Sequence, residues 1–304
     1  MAATAEPPGE QLTEQLVVPG GYFTVHWQEP FTAKEKKRLR QWLSETAKAA
    51  SLIGGAFPRQ HTHIFLHRST SGKGPVPWAH TMRATNPEGV VFHVNPRQRP
   101  RQFISDWTAT HEFSHLYLPY VGRDDAWLAE GFASYYQFIL MMRHGILSEL
   151  AGWQKFREGL ARGEDDPYQQ GPLHLASQQM REKRAFKRVY WSGALYFLEV
   201  DLALRGQGSS LDEVISAFQM CCRDQPGPWT GKRLVAQLDQ AGQTALFSEK
   251  YRSFAATSGF PDYGPLLEAI GIAPKGKGIR FTEDAMQTAL RRSISQAQQT
   301  TRAP

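Results

Sequence analysis

The sequence predicts an α+β fold, with a β-rich lobe over about residues 20–98 and a helical lobe over about 99–273. Two observations carry this. Short runs of aromatic and β-branched residues all fall before residue 98, whereas apolar residues beyond it recur at helical spacing. Strands followed by helices, without regular strand–helix–strand alternation, mark an α+β chain. With 304 residues, 41% of them apolar and 21% charged, the chain is long enough to bury one sizeable core.

Residues 1–19, rich in Ala, Pro, Glu and Gln, are expected to be a flexible lead-in. Residues 21–27 suit a strand. Residues 31–50 suit a helix capped by Thr32, with Leu39, Trp42, Leu43 and Ala47 on one face. Residues 61–67 form a second strand, and 69–77 a Gly/Pro/Ser loop. Residues 78–85 and 89–95 look like two more strands, joined by a turn through Asn86, Pro87, Glu88 and Gly89. A helix is expected over 102–117, stopped by Pro119. The next, over 126–144, is capped by Asp124 or Asp125. Further helices are expected over 147–160, 188–205, 211–222, 232–239, 244–256 and 263–270, with turns over 163–171 and a break at Pro226, Gly227 and Pro228. Residues 274–304 read as a linker (Lys275, Gly276, Lys277, Gly278) and a tail containing an amphipathic helix over 281–295.

A formal net charge of +6 without a concentrated basic patch gives no reason to expect a nucleic-acid partner; the basic runs at 34–40 and 181–188 read as solvated helix faces. The two cysteines, Cys221 and Cys222, are adjacent. Such pairs rarely close a disulfide because the geometry is strained, and two thiolates alone do not make a zinc site. No apolar run approaches the roughly 18 residues of a membrane span. Residues 1–6 lack the basic start and apolar centre of a signal peptide. A soluble protein is expected, and a secreted or periplasmic one if the chain is a mature form.

The chemistry concentrates in His111-Glu112-Phe113-Ser114-His115. On a helix, His111 and His115 lie one turn apart on one face and can share one Zn²⁺ ion, while Glu112 can act as base on a metal-bound water. A catalytic zinc site takes three protein ligands. Glu130 is the candidate third, with 14 residues between it and His115 and near the start of the next helix. The short connection over 119–125 lets the two helices pack against each other. Without a partner, Glu130 would be a costly charge among Trp127, Leu128 and Phe132. A tetrahedral oxyanion needs a further donor. Tyr190 is the candidate, though it also reads as one aromatic of an apolar helix beside Trp191 and Tyr196. Ser134, one turn after Glu130, can support a ligand, and Tyr135, Tyr136 and Phe138 read as core. His61, His63 and His67 share one strand face and read as partly exposed histidines rather than a second metal site. His80 lies on a strand that can line the cleft and hold an extended peptide. His93 and His174 have no partner that the sequence names.

The stretch from His111 to His115, followed by Trp127-Leu128-Ala129-Glu130-Gly131-Phe132-Ala133-Ser134-Tyr135-Tyr136, resembles the gluzincin zinc metallopeptidases, which include the aminopeptidase N and glycyl-aminopeptidase families. The second is the closer. The segment from Tyr190 through Gly193 to Asp201 and Arg205 is similar to its tyrosine-x-x-glycine helix ending in an aspartate and an arginine. Residues 210–214 and 263–271 fit its later segments. The likeness covers about residues 60–272, the catalytic domain only. It implies a thermolysin-like domain with a zinc site between the lobes, His111, His115 and Glu130 on the ion, Glu112 as base, Tyr190 on the oxyanion, and a peptide or protein substrate. The alternative is a zinc-binding module of the same fold without turnover. Two departures stand out. Aminopeptidase N relatives place the glutamate four residues further on, which lands on Ser134 here, and the flanking residues select Glu130 instead. Their Gly-x-Met-Glu-Asn segment, whose glutamate holds a substrate amine, has no match, and the Glu-His step of the glycyl family is met only by Ala79-His80.

Overall fold

The computed structural model describes residues 13–70, 74–83 and 88–297. Five strands, β1 (Thr13–Val18), β2 (Gly21–Trp27), β3 (His61–Arg68), β4 (Trp78–Met82) and β5 (Gly89–Val94), form one sheet in the order β1-β2-β3-β5-β4. The outer pairs β1–β2 and β4–β5 are antiparallel, while β2–β3 and β3–β5 are parallel. The parallel pair β2–β3 is joined through helix α1 (Ala33–Ala50), a crossover that the strands-then-helices reading did not contain. Thr32 caps α1, accepting from the Glu35 N–H while the Glu35 carboxylate accepts from the Thr32 N–H.

Helices follow: α2 (Pro100–Ile104), α3 (Thr108–His115), α4 (Ala126–Arg143), α5 (Glu149–Glu164), α6 (Leu173–Gln178), α7 (Met180–Lys183), α8 (Phe186–Gly206), α9 (Leu211–Cys221), α10 (Gly231–Gly242), α11 (Leu246–Ala256) and α12 (Gly264–Ala269). The fold is thus mixed α/β, with a sheet lobe and a helical part. The single helix expected over 102–117 is two helices. After Ser105 the Asp106 side chain accepts from the Thr108 N–H at 2.9 Å, so the chain turns before α3 begins. Short α6 and α7 were not expected.

Two cores meet at α3. On the sheet side, Phe23, Leu43, Ile64 and Phe92 pack with Ala109, Phe113 and Leu116. In the helical part, Trp127, Phe132, Tyr136, Trp153 and Phe197 form the second core. Ala109, Phe113 and Leu116 recur at i, i+4, i+7, so α3 spends one face on the sheet and turns His111 and His115 toward α4.

Both expected ends need correction. Of the lead-in, residues 1–12 lie outside the described residues, and Thr13–Val18 is strand β1, paired along its length with β2 and tied by Glu14 to Arg40 at 2.9 Å. The expected linker is a hairpin, β6 (Ile272–Lys275) with β7 (Gly278–Phe281), turning at Gly276 with φ +56°. Lys-Gly-Lys-Gly is a tight turn because glycine reaches positive φ without steric cost. Helix α13 (Ala285–Ser295) then packs on the helical lobe. Ile294 is fully buried, Arg143 Nε donates to the Ile294 carbonyl at 2.8 Å, and Arg291 pairs with Glu149 at 3.1 Å. Cys221 and Cys222 are joined in a disulfide, against the expectation that neighbours stay apart. Cys222 has left the helix, with φ −135°, so the pair spans the end of α9 rather than its regular backbone. No helix among the described residues is long and apolar enough to cross a membrane.

Candidate active site

Helix α3 sets His111 and His115 with ring centroids 4.8 Å apart, both buried. The connection through Pro119 brings α4 against α3, and Glu130, in the second turn of α4, points between the rings. Its Oε2 lies 3.4 Å from each imidazole Nε2. Ligands about 2.1 Å from a tetrahedral zinc ion stand about 3.4 Å from one another. The donor set and its two carboxylate–imidazole spacings therefore match those of a tetrahedral zinc site. Among the described residues this is the one group of three such side chains whose ligating atoms all lie within 4.8 Å of one another.

The charges in this cluster depend on one another. Burial opposes the ionised form of Glu130, yet the pull of His115 and hydrogen bonding from His111 and His115 hold its carboxyl well below the usual range. Burial likewise opposes imidazolium at both rings. At His111 the hydrogen bond to Glu130 prevails and its pKa is raised; at His115 burial prevails and it is lowered. An ionised carboxylate facing two buried imidazoles is a site for a cation.

Gln137, two turns beyond Glu130 on α4, accepts a hydrogen bond from His111 Nδ1 at 2.9 Å. With the proton of a neutral ring held on Nδ1 by that bond, the Nε2 lone pair is the one that would meet a metal ion. Sequence reasoning missed Gln137; its place seven residues after Glu130, on the same helix face, was the available signal. Ser134, the residue named instead, is buried in a cavity of about 390 Å³ with His111, Gln137 and Tyr190, but makes no hydrogen bond to a ligand among the described residues. Gln137→Leu is expected to weaken zinc binding by about 10- to 100-fold. Titration against a competing chelator checks this, and unchanged affinity would remove Gln137 from the support of the site.

Glu112 is buried, and the Thr81 hydroxyl on edge strand β4 donates to its Oε2 at 2.7 Å. Thr81 was also missed. Side chains alternate along β4, so Ala79 and Thr81 face α3 and the core. His80 faces the other side of the sheet, where its ring lies 4.6 Å from that of Trp78. From this strand it is Thr81 rather than His80 that meets Glu112. On that outer face His26 and His63 are hydrogen-bonded at 2.8 Å, His61 stacks on Tyr22, and His67 stacks on His93 and pairs with Glu29. His174 Nδ1 donates to the Ala255 carbonyl.

Tyr190 reaches the site through the crossing of α4 and α8. A Cβ on Gly193 would overlap the Trp127 carbonyl oxygen, and one on Gly131 would overlap the Gly193 backbone. The two helices are thus in backbone contact where both residues are glycine. Glu130 immediately precedes one glycine and Tyr190 lies one turn before the other. The Tyr190 ring lies 6.0 Å from that of His111, nearly parallel to it. Burial, reinforced by Glu130 and Glu112, pushes its hydroxyl pKa well above 10, so it stays a neutral donor.

No family model and no curated protein matches the chain. Solved structures match it in fold. An aminopeptidase N family protein from Idiomarina loihiensis aligns with a TM-score of 0.63 at 16% identity, over 86% of this chain and 49% of that one. An M1 zinc metallopeptidase from Deinococcus radiodurans aligns with a TM-score of 0.52 at 16% identity, over 82% of this chain and 51% of that one. Yeast LTA4 hydrolase in complex with bestatin gives 0.58 at 15% identity, over 85% and 41%. The chain spans about half the length, or less, of these structures. At such identities the likeness is one of fold.

Proposed function

We propose that the chain is a zinc-dependent peptidase holding one ion on His111, His115 and Glu130. The observation that carries this reading is the single Glu130 oxygen 3.4 Å from both Nε2 atoms, with Glu112 on the same helix turn. The fold shared with structures described as zinc metallopeptidases supports it. When bound, zinc lowers the pKa of water and polarises a carbonyl. The chain's own residues do the rest. Glu112, oriented by Thr81, takes the proton of the attacking water and passes it to the leaving amine nitrogen. Tyr190 donates a hydrogen bond to the oxyanion that develops on the carbonyl oxygen. Strand β4 ends the sheet, and its outer edge offers main-chain groups to an extended peptide. The His111–His115, Glu130 and Tyr190 pattern is that of the gluzincins, and a catalytic unit from β1 through α13 follows. The experiment is cleavage of an unbiased peptide mixture by zinc-loaded protein, with Glu112→Gln as its control. Zinc uptake without any cleavage would instead favour the binding module.

A further inference from the structure

We propose that the cleft beside Glu130 selects a carboxylate on the peptide and that Arg83 is the residue that binds it. This rests on the peptidase reading for the nature of the ligand. Arg83 directly follows β4, two residues beyond the Thr81 that holds Glu112. It lines a cleft of about 430 Å³ that contains Glu130, and also an adjoining one of about 690 Å³ that contains Arg59 and Arg223. A group on a substrate held at Glu112 and Glu130 therefore meets Arg83 at the junction of the two.

Among the described residues the charge of Arg83 has no dedicated ion-pair partner. Arg59 pairs with Glu88 at 3.3 Å and Asp224 at 2.7 Å, and Arg223 with Glu88 at 3.0 Å and Asp224 at 2.9 Å, so two cations and two anions cancel. Among the described residues no carboxylate stands at ion-pair distance from Arg83. Among those residues its guanidinium reaches the Pro119 carbonyl at 3.4 Å and the face of Tyr120, and its buried Nε has no hydrogen-bond partner. The carboxylates whose field it feels, Glu130, Glu112 and Glu88, are committed to the histidine cluster, to Thr81 and to Arg59 and Arg223. Exposed Arg123 and Arg181 line the same cleft, and its other acid, Glu182, pairs with Lys183.

A partly desolvated guanidinium with open donors is a costly arrangement by itself and a strong one when a carboxylate fills the fork. A substrate ammonium there would meet like charge. The ligand chemistry is a carboxylate, from an acidic side chain or from the C-terminus of the peptide.

The test uses zinc-loaded Glu112→Gln protein, so that binding is read without turnover. The probes are alanine-rich peptides of fixed length with one Glu or one Gln at each position in turn, each with a free or an amidated C-terminus. The best carboxylate-bearing peptide is expected to bind about 10- to 100-fold tighter than its Gln, amidated counterpart. Whether Glu or the free terminus keeps that gain identifies the source. Adding Arg83→Gln should remove the gain with zinc content intact, and Arg83→Lys should keep part of it. Equal affinity for all four forms, or a preference that survives Arg83→Gln, overturns the inference; the four-form comparison needs no change at Arg83. Wild-type protein that cleaves all four alike refutes this inference alone. Absence of cleavage alongside an Arg83-dependent preference refutes the peptidase reading and leaves the anion site standing.

Discussion

Glu112→Gln lowers the turnover of any peptide the protein cleaves by about 10²- to 10⁴-fold, the contribution of a positioned general base. The substitution is nearly isosteric. The Thr81 hydroxyl, 2.7 Å from Oε2, still finds an amide oxygen to donate to, and none of the three candidate ligands is touched. Zinc content and melting temperature therefore stay at wild-type values while kcat falls. Steady-state kinetics on a mapped cleavage site, with metal analysis on the same sample, read both quantities. An unchanged kcat at full zinc occupancy would assign proton transfer to another group.

Deleting residues 276–304 destabilises the protein by about 3 to 6 kcal/mol, from the burial of Ile279 and Ile294 alone. The deletion removes β7 and α13, so β6 loses its only partner in the described sheet. It also strips the cover from the buried Arg143–Asp212 pair, whose guanidinium donates to the Ile294 carbonyl as well. Asp212 in turn accepts from the hydroxyl of Tyr136 in the core of α4, the helix that carries Glu130. The melting temperature should fall by roughly 6 to 20 °C. A fall within a degree or two would show that the segment is dispensable, as its Lys-Gly-Lys-Gly start suggests by composition.

The legible part of the site was the part written locally. His111 and His115 are four residues apart, so helical geometry brings them together whatever surrounds them. Glu130 was legible because an acid in an apolar run needs a partner, and a short connection sets which one it reaches. Thr81 and Gln137 were not legible. Thr81 meets Glu112 through sheet edge and helix packing 31 positions apart, and Gln137 meets His111 across 26. Polar residues of those types occur throughout the chain, and only tertiary contact singles them out. The same holds for Arg83, for which no carboxylate stands at ion-pair distance among the described residues although Glu112, Glu130 and Glu88 lie close enough to be felt.

For the fold, segregation of strands and helices followed from residue periodicity, and α1 from its capping box and apolar face. What misled was composition. Strand β1 is preceded by a Pro- and Glu-rich run, and the β6–β7 turn has the make-up of a flexible linker, yet pairing with a neighbouring strand decides both. Asp106 ended a helix that the apolar spacing carried straight through, because its side chain competes for the Thr108 N–H.

The central claim is that His111, His115 and Glu130 hold zinc, and metal analysis of three proteins after dialysis against trace zinc tests it directly. One zinc per chain is expected in the wild type and in Ser134→Ala, with none retained in Glu130→Ala. A wild type that takes up no zinc, or a Glu130→Ala protein that keeps its metal while Ser134→Ala loses it, would contradict the claim.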